Sequence, residues 1–275
     1  MLDQAHITGG CHFSLSCKKF QVNCYNCPAL EKGNQLAHYQ FKQKIKTIKK
    51  INASLITFSL SDFKLAKTSK IRYLNYINTK IPIDTEVFFP YIYDLKKKNK
   101  VKYLLSCAYD LENLRKGADH FIKVLDYLDK NLLTEKIKVL CTQVPNYLKK
   151  RYKNIEFELF VFSNKFEELS IIYKKTDILV FSSIADSAPQ MLSEALICGT
   201  QVVSFDIANV KELITNKNDG FIIKNFNTEK MAEKIHELLY SKALTLESNK
   251  TKRSKKAINI HSTKNFIKKI NFLIK

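Results

Sequence analysis

The chain has 275 residues, 45% of them hydrophobic, and a formal net charge of +20. That length allows one large domain or two modest ones around a real core. No apolar run reaches the ~18–20 residues that cross a bilayer. The opening Met1-Leu-Asp-Gln-Ala-His6 has no basic n-region and no apolar h-region, so the sequence predicts a cytosolic protein without a signal peptide.

Residues 1–40 read as irregular and rich in Cys and Gly. A basic helix is expected over 41–53, a strand at Leu55–Ser59 and a helix over Asp62–Lys70. Ile81–Pro90 reads as extended and proline-bounded, followed by a basic linker at Lys96–Lys100. Val101–Cys107 is strand-like. After Gly117, Ala118, Phe121, Ile122, Leu125 and Leu128 recur at helical spacing. Strands are expected at Lys136–Cys141 and Glu158–Phe162, a helix at Lys165–Tyr173 and a strand at Asp177–Ser182. A helix opened by Pro189 and closed by Gly199 comes next: proline fits a first turn and glycine fits just past a helix end. Gln201–Phe205, a short helix at Val210–Ile214 and Gly220–Ile223 follow. Met231, Ile235, Leu238 and Leu239 then share one helix face. The tail from Lys250 ends in an amphipathic helix over 266–274.

Near-continuous apolar strands between amphipathic helices indicate a parallel sheet covered on both faces. Residues 101–240 therefore read as one α/β, Rossmann-like domain. Strand, loop and helix around Asp186–Thr200 would offer free N–H groups to an anion beyond the carboxyl end of that sheet. Two carboxylates, Asp186 and Glu194, stand eight positions apart there. The bland alternative is an ordinary connection with solvated carboxylates.

The positive charge has three readings: scattered solvated lysines, docking on an anionic membrane leaflet, or nucleic-acid binding. Lysine clusters lie at Lys42–Lys50, Lys96–Lys102 and Lys250–Lys256. No basic-aromatic RNA motif or recognition-helix pattern stands out, which disfavours nucleic acid as a partner. Of seven cysteines, Cys107, Cys141 and Cys198 lie in apolar segments, where Cys acts as a small hydrophobe. The other four fall within the first 27 residues, spaced Cys11-x5-Cys17-x6-Cys24-x2-Cys27. Four thiolates at one point would hold a tetrahedral structural zinc and staple a loop-like segment. Reduced or partly paired thiols are the alternative. His6 and His12 read as polar loop residues.

The run Asp186-Ser-Ala-Pro-Gln-Met-Leu-Ser-Glu194-Ala-Leu-Ile-Cys-Gly-Thr200 resembles the sugar-nucleotide motif of retaining GT-B glycosyltransferases of family four. That motif is Glu, seven residues, Glu; here Asp186 stands at the first Glu and Gln201 at a usual Pro. Thr8-Gly-Gly-Cys11 with Cys17, Cys24, Cys27 and Pro28 is similar to the signature of a polysaccharide-assembly branch of the family. Ile81-Pro-Ile-Asp84-Thr-Glu-Val-Phe88-Phe-Pro90 resembles its interdomain crossing.

The resemblance implies a GT-B-like chain with one complete Rossmann-like donor domain and a partial N-terminal acceptor-domain remnant. The expected domains are 1–95 (the remnant with the Cys-rich segment), 96–248 (nucleotide-sugar binding) and 249–275 (basic tail). It implies that Lys116, and more weakly Arg115, clamps the donor diphosphate. Glu194 would bind the ribose hydroxyls and Asp186 the donor sugar. Ser187 and Ala188 would offer backbone N–H groups at the helix opened by Pro189. Lys116 and Asp186 are the catalytic candidates, and the chemistry needs no cofactor. The implied partners are a nucleoside-diphosphate sugar and a lipid-linked or polysaccharide acceptor at the cytoplasmic membrane face.

Relative to the family, the acceptor domain's glycine loop is missing, and Leu2 occupies the place of a usual His before Asp3. A separate polypeptide supplying that half is therefore expected for an active enzyme. The competing readings are a non-catalytic remnant that binds nucleotide sugar and a basic zinc-stapled nucleic-acid binder.

Overall fold

A computed structural model describes residues 1–90, 101–108, 110–161, 165–241 and 247–273. The linker expected at Lys96–Lys100 and the domain boundary expected at 95/96 lie outside them. The chain forms two compact units: Met1–Ile81 with Ala185–Ala188 and Thr263–Lys275, and Pro82–Ile184 with Pro189–Ser262.

In the smaller unit, α1 (Leu36–Lys50), β1 (Leu55–Thr57), α2 (Leu60–Thr68) and β2 (Tyr76–Asn78) follow in order. β1 and β2 pair in parallel, Leu55 opposite Tyr76 and Thr57 opposite Asn78. Parallel strands need a crossover, which α2 supplies. Its start is capped by Ser59, whose Oγ accepts the Asp62 N–H at 3.1 Å. The basic helix expected over 41–53 begins earlier, at Leu36, where Asn34 Oδ1 accepts the Leu36 N–H at 2.9 Å. Ala37 and Phe41 then pack on Phe20, Cys24 and Ile71. β2 was not expected, because three residues are too few to show a period.

The larger unit carries six parallel strands: β3 (Lys102–Ser106), β4 (Ile137–Cys141), β5 (Ile155–Leu159), β6 (Ile178–Phe181), β7 (Gln201–Phe205) and β8 (Gly220–Ile223). Their order across the sheet is β5-β4-β3-β6-β7-β8. The chain winds outward from β3 in one direction and outward from β6 in the other. β3 and β6 are neighbours, Leu104 opposite Ile178 and Ser106 opposite Val180. Strand order therefore reverses between them, and it is beyond the carboxyl ends at such a reversal that open α/β sheets bind ligands.

Helices α3 (Ala118–Tyr127), α4 (Phe166–Lys175), α5 (Gln190–Ile197), α6 (Val210–Leu213), α7 (Thr228–Leu239) and α8 (Glu247–Ile260) cover the sheet. Side chains alternate between its faces, as the pleat requires. Leu104, Val180 and Val203 pack with Phe121 and Leu125 of α3 and Met231 and Ile235 of α7. Leu105, Leu179, Phe181 and Val202 pack with Tyr173 of α4, Leu192 and Ala195 of α5 and Ala257 of α8. Each fully buried Val, Leu, Ile, Phe or Met among them stabilises the fold by ~1.5–3 kcal/mol. All of β6 and β7 is buried, which is why β6 reads as an unbroken apolar run and β7 as a largely apolar one.

Several expected elements move. The strand expected at Glu158–Phe162 lies at Ile155–Leu159; Phe162 is outside the described residues. Ile81–Pro90 is not extended throughout: it turns at Asp84, whose carbonyl accepts the Phe88 N–H at 3.0 Å. Ile83 and Phe88 join the layer that holds Tyr173. The run Lys250–Lys256 is not a loose basic tail but part of α8. Its Arg253 is 1% exposed, donating from Nε to the Asn218 carbonyl at 2.6 Å and from a terminal nitrogen to the Gly199 carbonyl. Burial pulls that guanidinium down to about 10, against the opposing pull of Asp219. A further helix, α9 (Thr263–Ile270), belongs to the smaller unit and buries none of its residues. No helix of the described residues is long and apolar enough to cross a membrane.

Candidate functional site

The turn between β3 and α3 is held by the end of β6. The Ile184 N–H and the Ser183 hydroxyl both donate to the Arg115 carbonyl, at 3.1 Å each. The Ser182 hydroxyl and the Cys107 thiol donate to the Lys116 carbonyl at 3.2 and 3.3 Å. The Lys116 N–H donates to Asn113 Oδ1 at 3.1 Å. Five contacts thus fix the backbone of the Arg-Lys pair. Arg115 is exposed and Lys116 half-buried, and the Lys116 Nζ lies 6.0 Å from the centre of the Phe181 ring.

Gly117 makes this approach possible. Its φ is +73°, and an added Cβ would stand 1.9 Å from the Ser182 carbonyl oxygen. A side chain is excluded both by conformation and by space. Gly117→Ala is expected to cost ~1–3 kcal/mol of stability, as overpacking does. Urea denaturation measures this; a loss below ~0.5 kcal/mol, the scale of an ordinary surface change, would mean that the turn is loose.

On the neighbouring connection, Pro189 (φ −64°) stands just before α5. Glu194 lies in the middle of that helix and is buried. The Tyr173 hydroxyl donates to Glu194 Oε2 at 2.7 Å. Tyr173 is fixed in turn by Thr200, whose hydroxyl donates to the Tyr173 carbonyl at 2.8 Å. Burial pushes the Glu194 carboxyl above its ordinary range, while the Tyr173 bond opposes the shift. Lys116 stands over Phe181 and Glu194 bonds Tyr173, and Phe181 and Tyr173 belong to one apolar layer. Both site candidates therefore rest on the same face of the sheet, on the connections that leave its two central strands.

Asp186, Ser187 and Ala188 group with the smaller unit. The Ser187 N–H, expected to face a ligand, donates instead to Asp186 Oδ1 at 2.9 Å. Ser187 is fully buried, and Asp186 and Ala188 half-buried. Among the described residues no group of three or more His, Cys, Asp or Glu side chains has a metal-holding arrangement.

Sequence reasoning did not pick out Tyr173, Cys107, Ser182 or Ser183. Tyr173 reads as one more apolar helix residue and Cys107 as a small hydrophobe. The signal that was present is Ser182-Ser183 directly after an apolar strand, hydroxyls placed where a neighbouring turn needs donors.

Residues 88–258, more than half of the chain, match the family of glycosyl transferases, group 1. The chain belongs to this family. An uncharacterized glycosyltransferase of Haemophilus influenzae is 26% identical over 141 residues, 50% of this chain and 40% of that protein. The fold is similar to sucrose-phosphate synthase from Thermosynechococcus elongatus, with a TM-score of 0.65, 14% identity, and coverage of 85% of this chain and 61% of that one. It is also similar to a mutant of S. aureus TarM solved with fondaparinux, alpha-GlcNAc-glycerol and UDP. There the TM-score is 0.63, the identity 19%, and the coverage 86% of this chain and 46% of that one. At such identities these structures bear on fold alone, which is the α/β, GT-B type with a Rossmann-like parallel-sheet domain. This glycosyltransferase family member spans about half the length of the relatives it matches.

Proposed function

We propose that a crevice at the ends of β3 and β6 binds a nucleoside-diphosphate sugar. From it a sugar passes to a lipid-linked or polysaccharide acceptor during surface-polysaccharide assembly. The observation that carries this reading is the placement of Lys116 and Glu194 on one face, on the two connections that flank the reversal of strand order. As the glycosidic bond breaks, charge builds on the departing diphosphate. A cation aimed there stabilises the transition state more than the ground state.

In this proposal Lys116 is the diphosphate clamp, with Arg115 beside it as an exposed second cation. Glu194 accepts from the ribose hydroxyls. Asp186 meets the donor sugar, and Ser187, Ala188 and Pro189 shape the loop around it. The resemblance to family-four enzymes supports retention of configuration, and the UDP of the TarM complex supports the class of donor. The acceptor reading rests on the Thr8-Gly-Gly-Cys11 signature. Docking on an anionic leaflet is part of the same proposal, supported by Lys264, Lys268 and Lys269 on α9 and by its half-exposed Ile267.

A thermal-shift panel of UDP, GDP, ADP and their sugars tests the donor reading. One nucleotide class should raise the melting temperature in a concentration-dependent way, and a flat response to all of them would contradict it. Tyr173→Phe probes the support of Glu194. Loss of its donor raises the carboxyl further, so the rise of nucleotide affinity with pH should move to higher pH. Calorimetry across pH 5–8 on both proteins checks this, about half a unit being readable from the ~1.4 kcal/mol that one unit represents.

A further inference from the structure

We infer that Cys11, Cys17, Cys24 and Cys27 form a four-thiolate zinc site that pins the N-terminal segment to α1. All four line one cavity of about 20 Å³, with Thr8, Gly9, Phe20 and Ala37 around them. That is room for one small occupant. They come from three separate stretches of chain, so their convergence is a product of the fold and not only of the Cys24-x-x-Cys27 spacing.

Burial holds the Cys11 thiol above its ordinary range and pushes Cys24 up to about 11, so a metal would have to displace their protons, and the groups around them are ones that suit the thiolates once formed. Cys11 and Cys27 are within hydrogen-bonding reach of each other, and the Gly9 N–H reaches the Cys24 sulphur. Lys44 of α1 brings an ammonium within electrostatic reach of Cys11 and Cys24, held by the carbonyls of Ala5 and Thr8 at 2.7 and 3.0 Å. Binding one Zn²⁺ would release four protons and leave a centre of net charge −2. A backbone donor and a cation are the groups that stabilise such a centre from outside its ligands.

The backbone agrees. Cys24 and Asn26 are left-handed at φ 53° and 47°, a conformation that non-glycine residues adopt at a cost. The Cys24 N–H donates to the Lys19 carbonyl at 3.0 Å and the Lys19 ammonium bonds the carbonyls of Tyr25 and Asn26, which holds the turn. A Cβ on Gly9 would stand 2.4 Å from the Ala37 carbonyl oxygen, so only glycine brings Thr8–Cys11 against α1. As they stand, these four cysteines do not form a metal-holding group, so zinc requires the thiols to close from this arrangement onto one centre, ~2.3 Å from each sulphur. The site is independent of the donor crevice and stands or falls separately from the proposed function.

The test is metal analysis of the full chain, purified under reducing conditions without chelator and reconstituted with zinc alone. About one equivalent is expected, with all four thiols shielded from alkylation until a chelator removes it. Cobalt in its place should show thiolate-to-metal charge transfer and the strong visible bands of a tetrahedral site. Cys17→Ser and Cys27→Ser, at the half-buried positions, should each lower zinc affinity at least ~10-fold, whereas Cys141→Ala, in the larger unit, should leave the stoichiometry unchanged. The inference is overturned by less than ~0.1 equivalent after reconstitution, by zinc retention unaffected in both serine variants, or by a native mass showing disulfides among these four cysteines.

Discussion

Lys116→Ala is expected to lower donor turnover, read as transfer or as hydrolysis of the sugar nucleotide, by ~10²–10³-fold. That is the ~2.7–4 kcal/mol lost when a preorganised group stabilising developing negative charge is removed. The magnitude is large because the group is preorganised. Its main chain is fixed by Asn113, Ser182 and Cys107, and its ammonium stands over Phe181. The same fixation separates chemistry from folding. The anchoring bonds to Lys116 use its main-chain N–H and carbonyl, so the alanine variant should melt within a degree or two of the parent, a change of under ~0.5 kcal/mol. An unfolded Lys116→Ala protein would show that the lysine serves packing, and a folded one with full turnover would remove it from the site.

Glu194→Gln is expected to weaken nucleotide binding by ~10–100-fold, which corresponds to the ~1.5–3 kcal/mol carried by hydrogen bonds to a charged group. The folded protein should meanwhile become no less stable at neutral pH. Burial raises the Glu194 carboxyl above its ordinary value of 4.5. The sign follows from proton linkage. Below 4.5 the group is neutral in both states. Between that value and the raised folded one, the native state holds a proton that the unfolded chain has lost, so stability falls as pH rises. Above the folded value the deficit is constant. Glutamine keeps an oxygen for the Tyr173 hydroxyl and removes the buried charge. Urea denaturation of both proteins from pH 4 to pH 8 should therefore show the parent losing stability relative to the variant as pH rises. A parallel pair of curves would mean that this carboxyl is not strained by its surroundings. Diverging curves would mark Glu194 as a residue kept at a cost in stability for a role that only a ligand explains.

The larger unit was legible because its signals are local and redundant. β7 and β8 fall at the residues expected, since each is a short, mostly apolar run marked off by a glycine at or just before its start. Met231, Ile235 and Leu239 reveal α7 by their period. The reversal of strand order between β3 and β6 was not legible, because nothing in either strand's composition states which neighbour it takes. The positions of Lys116, Gly117 and Glu194 on the connections after β3 and β6 were legible, because each follows an apolar strand and sits at or in a helix that the sequence marks. The candidate site was not legible at Tyr173 and Ser182, whose roles depend on partners 21 and 66 positions away. The burial of Arg253 was hidden for a related reason. A basic run reads as solvated unless the carbonyls it will meet, here those of Gly199 and Asn218, are known in advance.

The most direct measurement is a calorimetric titration of UDP, GDP and ADP into the full chain and into Lys116→Ala and Glu194→Gln. One nucleotide should bind the parent at one site per chain, with affinity reduced at least ~10-fold in each variant, or ~1.4 kcal/mol. Binding that is unchanged in both folded variants, or no binding of any nucleotide to the parent, would contradict the account.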